Sequence, residues 1–304
     1  MPKGINLASK FSTRVDEAFK RKSYSQVACN QDYDFKGVDT VEIYSFPTVA
    51  LGDYAASGMS RYGTPADVVR QIQTAKIKMD RSWTSIIDQG DKIQSMMLTD
   101  AGRMLANENE QVIIPEYDKY IFHTIAKYAY DAGQTDATAI VKTRGSTNAY
   151  EEFLKAQESL GNAYVPEEGR VCICSYAFSS AMSLDDRFVR NGDKSQDMLA
   201  RGEFGMVDGV RLIRVPASLL PTGCDFILTH PVVCCAPKQL SDFKVHDNPP
   251  GINGWLLEGR VIYDAFILSQ KKAGCFYHGA AITDTAATAV GSSIVHDSSA
   301  IVTR

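Results

Sequence analysis

No stretch of this chain approaches the roughly 18 to 20 consecutive apolar residues that a bilayer crossing requires, and the opening MPKGINLASKF has no apolar core of the kind a secretory signal carries. The expectation is a soluble protein made in the cytosol. Positive charge is not in excess either: 32 Lys and Arg stand against 36 Asp and Glu, a formal net charge of −4. A protein whose main work is gripping phosphates needs a clear cationic surplus, so tight nucleic-acid binding is disfavoured. Cysteine is present but unpatterned. Cys29, Cys172, Cys174, Cys224, Cys234, Cys235 and Cys275 make an odd number without framework spacing, which fits reduced thiols rather than a disulfide scaffold. The sequence also lacks GxGxxG, GxxxxGK[ST], GxSxG and HExxH, so no nucleotide-binding, hydrolase or zinc-protease signature anchors an enzymatic reading.

What is present is an ordinary globular composition, 44% hydrophobic and 22% charged over 304 residues. A chain of this length buries roughly three-quarters of its unfolded surface, enough for one large domain or two modest ones. Its start is locally basic, with Lys3, Lys10, Arg14, Lys20, Arg21 and Lys22 against Asp16 and Glu17. That pattern suits a solvated arm or an arm lying near phosphate.

Residues 1–35 are polar with weak helical periodicity at Leu7, Phe11, Val15 and Phe19, which predicts an arm with a short amphipathic helix. TVEIYSF and VVRQIQTAKIKMDRSWTSII have strand composition, and about twenty residues rich in Gly, Ala, Ser and Tyr separate them. A two-stranded ribbon of that length is marginal alone in water, so something outside the chain should hold it. From 91 to 133 the pattern turns helical. In IIPEYDKYIFHTIAKYAYDAG, Ile114, Tyr117, Ile121, Ile125 and Tyr128 form one apolar stripe; Pro115 suits a first turn, Glu116 and Asp118 its positive dipole end, and Gly133 a C-terminal cap. Ser146 or Thr147 is placed to cap a second helix, NAYEEFLKAQESLG, ending at Gly161. RVCICSY then reads as a strand, AFSSAMSL as a short helix, GEFGMVDGVRLIRV as a turn and strand, and DFILTHPVVCCAPKQL as a strand with a following element. Residues 255–279 are largely strand, broken at SQKKAG, and the small, Thr- and Ser-rich remainder reads as an extended tail.

In RVCICSY the strand period sets Val171 and Ile173 on one face and Cys172 and Cys174 on the other, as in a strand covered on both sides. A zinc site would need a second ligand pair, and none is spaced for it. Cys234 and Cys235 are adjacent, point to opposite faces and read as core. Asp185 and Asp186 in LDDRF suit a turn partnered by Arg187 better than a catalytic dyad. The histidines, His123, His230, His246, His278 and His296, are scattered, and His123 lies off the stripe.

Taken in order, these parts resemble the major capsid protein of a tailed bacteriophage, with the Hong Kong 97-type coat fold that encapsulins share, over about residues 35 to 280. VPEEGR followed by a strand and DDRF, then the GMVDGVRLIRV turn and strand, carries most of the likeness. The resemblance implies an α+β fold divided as N-terminal arm (1–35), E-loop ribbon (36–88), P-domain with spine helix (89–136), A-domain (137–250), P-domain strands (251–282) and C-terminal tail (283–304). The stripe would be the spine-helix core, and DNPPGING a candidate A-domain loop. An E-loop of this family reaches over a neighbouring subunit, so Val41, Ile43, Phe46, Tyr54, Tyr62, Ile72 and Ile77 would find partners between chains.

The function so implied is mechanical: a homo-oligomer of pentamers and hexamers closing into an icosahedral shell around packaged double-stranded DNA, with no catalytic residue, cofactor, metal or membrane contact. Expected partners are a separate scaffolding protein, a portal, in some cases a decoration protein, and only weak or non-specific contact with the DNA. The expected location is the virion capsid, assembled in the bacterial host cytoplasm. Two features depart from the family's founding member. ALGDYAASGMSRYGTPADV has no lysine before Lys76, so covalent cross-links are not expected, and no long helical scaffolding segment precedes the arm. An encapsulin-like compartment and, in another class, a Cys-dependent enzyme are the rival readings.

Overall fold

The computed structural model of the chain describes residues 23–32, 40–45, 51–54, 56–57, 59, 61–63, 71–90, 101–143, 146–185 and 205–282. The amphipathic stretch read in residues 1–22, the segment 283–304, Phe46, Asp186 and Arg187 lie outside them. In chain order the strands are β1 (Thr40–Ser45), β2 (Gln71–Lys76), β3 (Met79–Asp88), β4 (Thr135–Asp136), β5 (Val171–Ser175), β6 (Met206–Val207), β7 (Val210–Val215), β8 (Cys224–Thr229), β9 (Cys234–Cys235), β10 (Lys238–Asp247), β11 (Gly254–Tyr263), β12 (Phe266–Ile267) and β13 (Cys275–Gly279). The helices are α1 (Ala101–Glu108), α2 (Ile114–Asp131), α3 (Ala149–Asn162) and α4 (Tyr176–Ser183). Among the described residues no helix is long and apolar enough to cross a membrane.

Six strands form a mixed sheet in the order β4-β13-β8-β5-β7-β6, with β5 parallel to β7 and antiparallel to β8. Its two faces carry separate cores. Val171, Ile173, Val215, Ile227 and Tyr277 pack with Ile121, Ile125 and Ala129 of α2 on one side. Cys172, Cys174, Leu212, Phe226 and Phe276 pack with Phe153, Leu160 and Phe178 of α3 and α4 on the other. A strand alternating Val/Ile with Cys is therefore apolar on both faces because helices cover both. The stretch 255–279 divides among three sheets, since β11 lies in one, β12 pairs with β9 in another, and β13 is second from the edge of this one.

The helical region is one unbroken run from α1 through a π-helical turn, Asn109–Ile113, into α2. Pro115 is the second residue of α2, in the first turn as expected, although the helical run enters α2 without a break. Proline has no N–H to return to the carbonyl of Gln111, and its ring crowds that carbonyl. The wider π turn, in which Ile114 N–H donates to Asn109 O, absorbs the misfit one residue earlier. Glu116 stands in the first turn of α2, and it and Asp118 also have partners outside the helix. Glu116 pairs with Arg81 at 2.7 Å, and Asp118 receives hydrogen bonds from the segment at 23–25. Gly133, at φ +73°, closes the helix, with Gln134 N–H donating to Ala129 O at 3.0 Å.

Helix α3 starts after Asn148, not after Ser146 or Thr147, and runs one residue beyond Gly161. The Asn148 side chain is turned away to accept from Val141 N–H at 2.8 Å, a contact set by the preceding loop. At the other end, Arg170 of VPEEGR is 3% exposed and donates to the carbonyls of Val165, Pro166 and Gln157, tying its loop to the end of α3.

The segment read as one long strand, 68–87, divides into β2 and β3 at Ile77 and Lys78. There the Lys78 N–H bonds the carboxylate of Asp264 instead of a neighbouring strand, and the same carboxylate accepts from Tyr120 Oη at 2.6 Å and Ala265 N–H at 2.8 Å. Beyond this break β3 joins β11 and β10 in a second, antiparallel sheet. DNPPGING closes the β10–β11 hairpin, at the end of that sheet where Gly254 pairs with Asp88. Gly259 sits between Trp83 and Phe243 on the flanking strands, and a Cβ there would meet Trp83 Nε1 at 2.2 Å, so the two rings close over the bare backbone.

Candidate assembly surface

Strands β1 and β2 form an antiparallel ribbon that pairs with no other strand among the described residues. Register places Tyr44 opposite Ile72 and Glu42 opposite Thr74 on one face, Ile43 opposite Gln73 and Val41 opposite Ala75 on the other. The faces differ sharply in exposure: Ile43 is 8% exposed, but Tyr44 is 55% and Ile72 46%. The covered face belongs to its own chain, where Gln73 Oε1 accepts the Ser269 N–H at 3.1 Å and Ile77 and Met79 are buried at the root.

The described residues of the opposite face and of the connecting segment are exposed. Leu51, Tyr54, Met59 and Tyr62 are exposed, and Tyr54 and Tyr62 meet edge to face with centroids 5.1 Å apart. Of the 16 exposed large hydrophobic residues among the described ones, six fall between Tyr44 and Ile72, so this short stretch carries an outsized share of the uncovered apolar surface. Both ribbon edges also present backbone groups without a partner strand.

The residues singled out from sequence thus separate into two sets. Tyr54, Tyr62 and Ile72 are exposed, whereas Ile43 and Ile77 are buried and Val41 is half-buried. Tyr44, Leu51 and Met59 were not singled out; strand alternation from Ile43 would have placed Tyr44 on the open face. On α2, Tyr117, Ile121 and Ile125 are buried, with Ile114 and Tyr128 half-buried beside them.

The thiols lie in the opposite kind of environment. Burial pushes Cys174 and Cys275 up to about 12 and holds Cys172 and Cys224 well above the usual thiol range. Cys234 is raised by its hydrogen bond with Cys29 and then by burial. A nucleophilic cysteine needs the reverse, an exposed and electropositive setting.

No protein-family model matches the chain, and no curated protein matches it in sequence. Solved structures do match in fold. A structure from Mycobacterium phage Che8 superposes with a TM-score of 0.67 at 15% identity, covering 90% of this chain and 97% of the other. The asymmetric unit of the bacteriophage PhiM1 mature capsid gives 0.70 at 13% identity over 90% and 91%. The capsid structure of the cyanophage P-SCSP1u gives 0.67 at 14% identity over 91% and 94%. At such identities the likeness is one of backbone architecture, and it defines the class: the chain has the tailed-phage capsid fold of the Hong Kong 97 type.

Proposed function

We propose that this chain is the major capsid protein of a tailed bacteriophage and that it assembles as pentamers and hexamers into an icosahedral shell around packaged double-stranded DNA. The observation that carries the reading is the match in fold along nine-tenths of this chain to structures described as phage capsids. The ribbon supports it independently. A marginal two-stranded element with the Tyr44–Ile72 pair open to water, and Leu51, Tyr54, Met59 and Tyr62 exposed beyond it, gains its stability where a second copy covers these side chains. Residues 36–76, shorter than the expected 36–88 because β3 joins β11 and β10, then serve as the E-loop, with Tyr44, Tyr54, Tyr62 and Ile72 as contacts to a neighbouring copy. The long helix serves as the spine, the sheet of β3, β10 and β11 as the P-domain strands, and the six-stranded sheet with α3 and α4 as the A-domain.

Shells of this type are assembled in the host cytoplasm with a scaffolding protein and a portal, and a decoration protein is a further partner in some. The net charge of −4 suits a container that must not bind its DNA tightly. The phage neighbours favour this over an encapsulin-like compartment, and buried thiols of raised pKa weigh against a Cys-dependent enzyme. Negative-stain microscopy of the recombinant chain, alone and with its scaffold, tests the proposal. Rings, tubes or uniform shells are expected, and a monodisperse monomer under every condition overturns it.

A further inference from the structure

We infer that Asp136, Glu152 and His278 form a divalent-cation site that fastens α3 to the edge of the six-stranded sheet, a feature beyond the shell-forming role and independent of it. One donor atom from each residue lies within 4.8 Å of the other two. The arrangement follows from the topology. β4 runs parallel to β13 with Asp136 beside His278, and α3 covers that face of the sheet with Glu152 turned inward.

The second observation is a set of buried polar atoms without hydrogen bonds. His278 is fully buried and neither of its ring nitrogens makes one; Glu152 is 3% exposed and its Oε2 makes none. Leaving such atoms dry and unsatisfied is costly, because each has given up its water without a replacement partner. The other lone pairs of the cluster are already committed. Asp136 Oδ1 accepts from the Thr138 N–H and hydroxyl at 2.8 and 2.7 Å, and Glu152 Oε1 accepts from Lys155 Nζ at 2.8 Å. Glu152 Oε2 and both imidazole nitrogens remain without hydrogen bonds, and one donor atom from each of the three residues converges.

The geometry also supplies the outer support a metal-bound histidine uses. A bulge between His278 and Gly279 sets Cys224, Asp225 and Phe226 against two residues of β13, and Asp225 Oδ2 comes within 3.3 Å of His278 Nδ1. That contact lacks hydrogen-bond geometry as it stands, but an Nδ1–H turned to the Asp225 carboxylate would leave Nε2 for an ion, and Phe226 stacks on the ring with centroids 4.9 Å apart to fix its plane. One imidazole and two carboxylates suit zinc or manganese rather than calcium, and bonds of about 2.0–2.2 Å need the three donors to close by up to about 1.5 Å. Lys155, half-exposed, is free to swing outward as the ion enters.

The test uses the full-length chain, stripped with EDTA, dialysed against zinc and assayed for bound metal by mass spectrometry, then loaded with cobalt for its visible spectrum. The expected result is one zinc per chain and a cobalt spectrum without a thiolate charge-transfer band. Asp136→Asn and Glu152→Gln each abolish stoichiometric binding with the circular dichroism unchanged, and Asp225→Asn weakens binding by about 10- to 100-fold. Absence of bound metal, a thiolate band showing the ion on cysteine, or Asp136→Asn binding like the natural sequence overturns the inference. The cobalt spectrum of the unaltered protein decides the matter even if the variants fail to fold.

Discussion

Asp118 shows what one residue does for the path of the chain. Its carboxylate, 1% exposed on the long helix, accepts from Ser23 Oγ, Tyr24 N–H and Ser25 Oγ at 2.8, 2.8 and 2.6 Å, so residues 23–25 are held against α2. Asp118→Ala strands those donors and should cost about 3 kcal/mol in urea unfolding, with faster proteolysis around residues 20–25. An unchanged midpoint would show that the donors find water instead. His123, half-buried on the same helix, governs acid stability. Burial and then Lys119 lower it from its ordinary 6.5 to about 4. Between those values the unfolded chain binds a proton that the folded chain refuses, so stability falls as pH drops through that window and this group has no effect above it. Urea midpoints at pH 7 and 5 should therefore fall further for the natural sequence than for His123→Gln; equal falls would refute this.

The ribbon is where elements, rather than residues, decide behaviour. Ile72→Asp and Tyr44→Asp alter exposed positions, so the isolated chain should keep its stability within about 0.5 kcal/mol while assembly into rings or shells is lost. Sedimentation velocity separates the two effects; retained assembly would show that the open face is not a contact. Elements were legible in the sequence where periodicity was strong. The Ile121 and Ile125 stripe, the doubly covered Cys172/Cys174 strand and the Gly133 stop all follow from local pattern. What local pattern could not show was pairing between distant segments. The break at Lys78 depends on Asp264, the displaced Asn148 cap on Val141, and the passage through Pro115 on a π turn upstream. The convergence of Asp136, Glu152 and His278 likewise needs a sheet neighbour and a covering helix that no spacing rule encodes.

At the scale of the molecule, six of the seven cysteines are buried and only Cys29 is partly open. Alkylation of the native chain should modify about one thiol quickly and all seven after denaturation. Several fast-reacting thiols in the native protein would contradict the two-sided core. The ribbon leaves the body at Lys78, where a single carboxylate, Asp264, grips the strand root and the Tyr120 hydroxyl of the long helix together. That makes the joint a fulcrum: were a sister molecule to bear down on the ribbon's outer end, the load would reach the helix at this carboxylate and at the nearby Arg81–Glu116 pair.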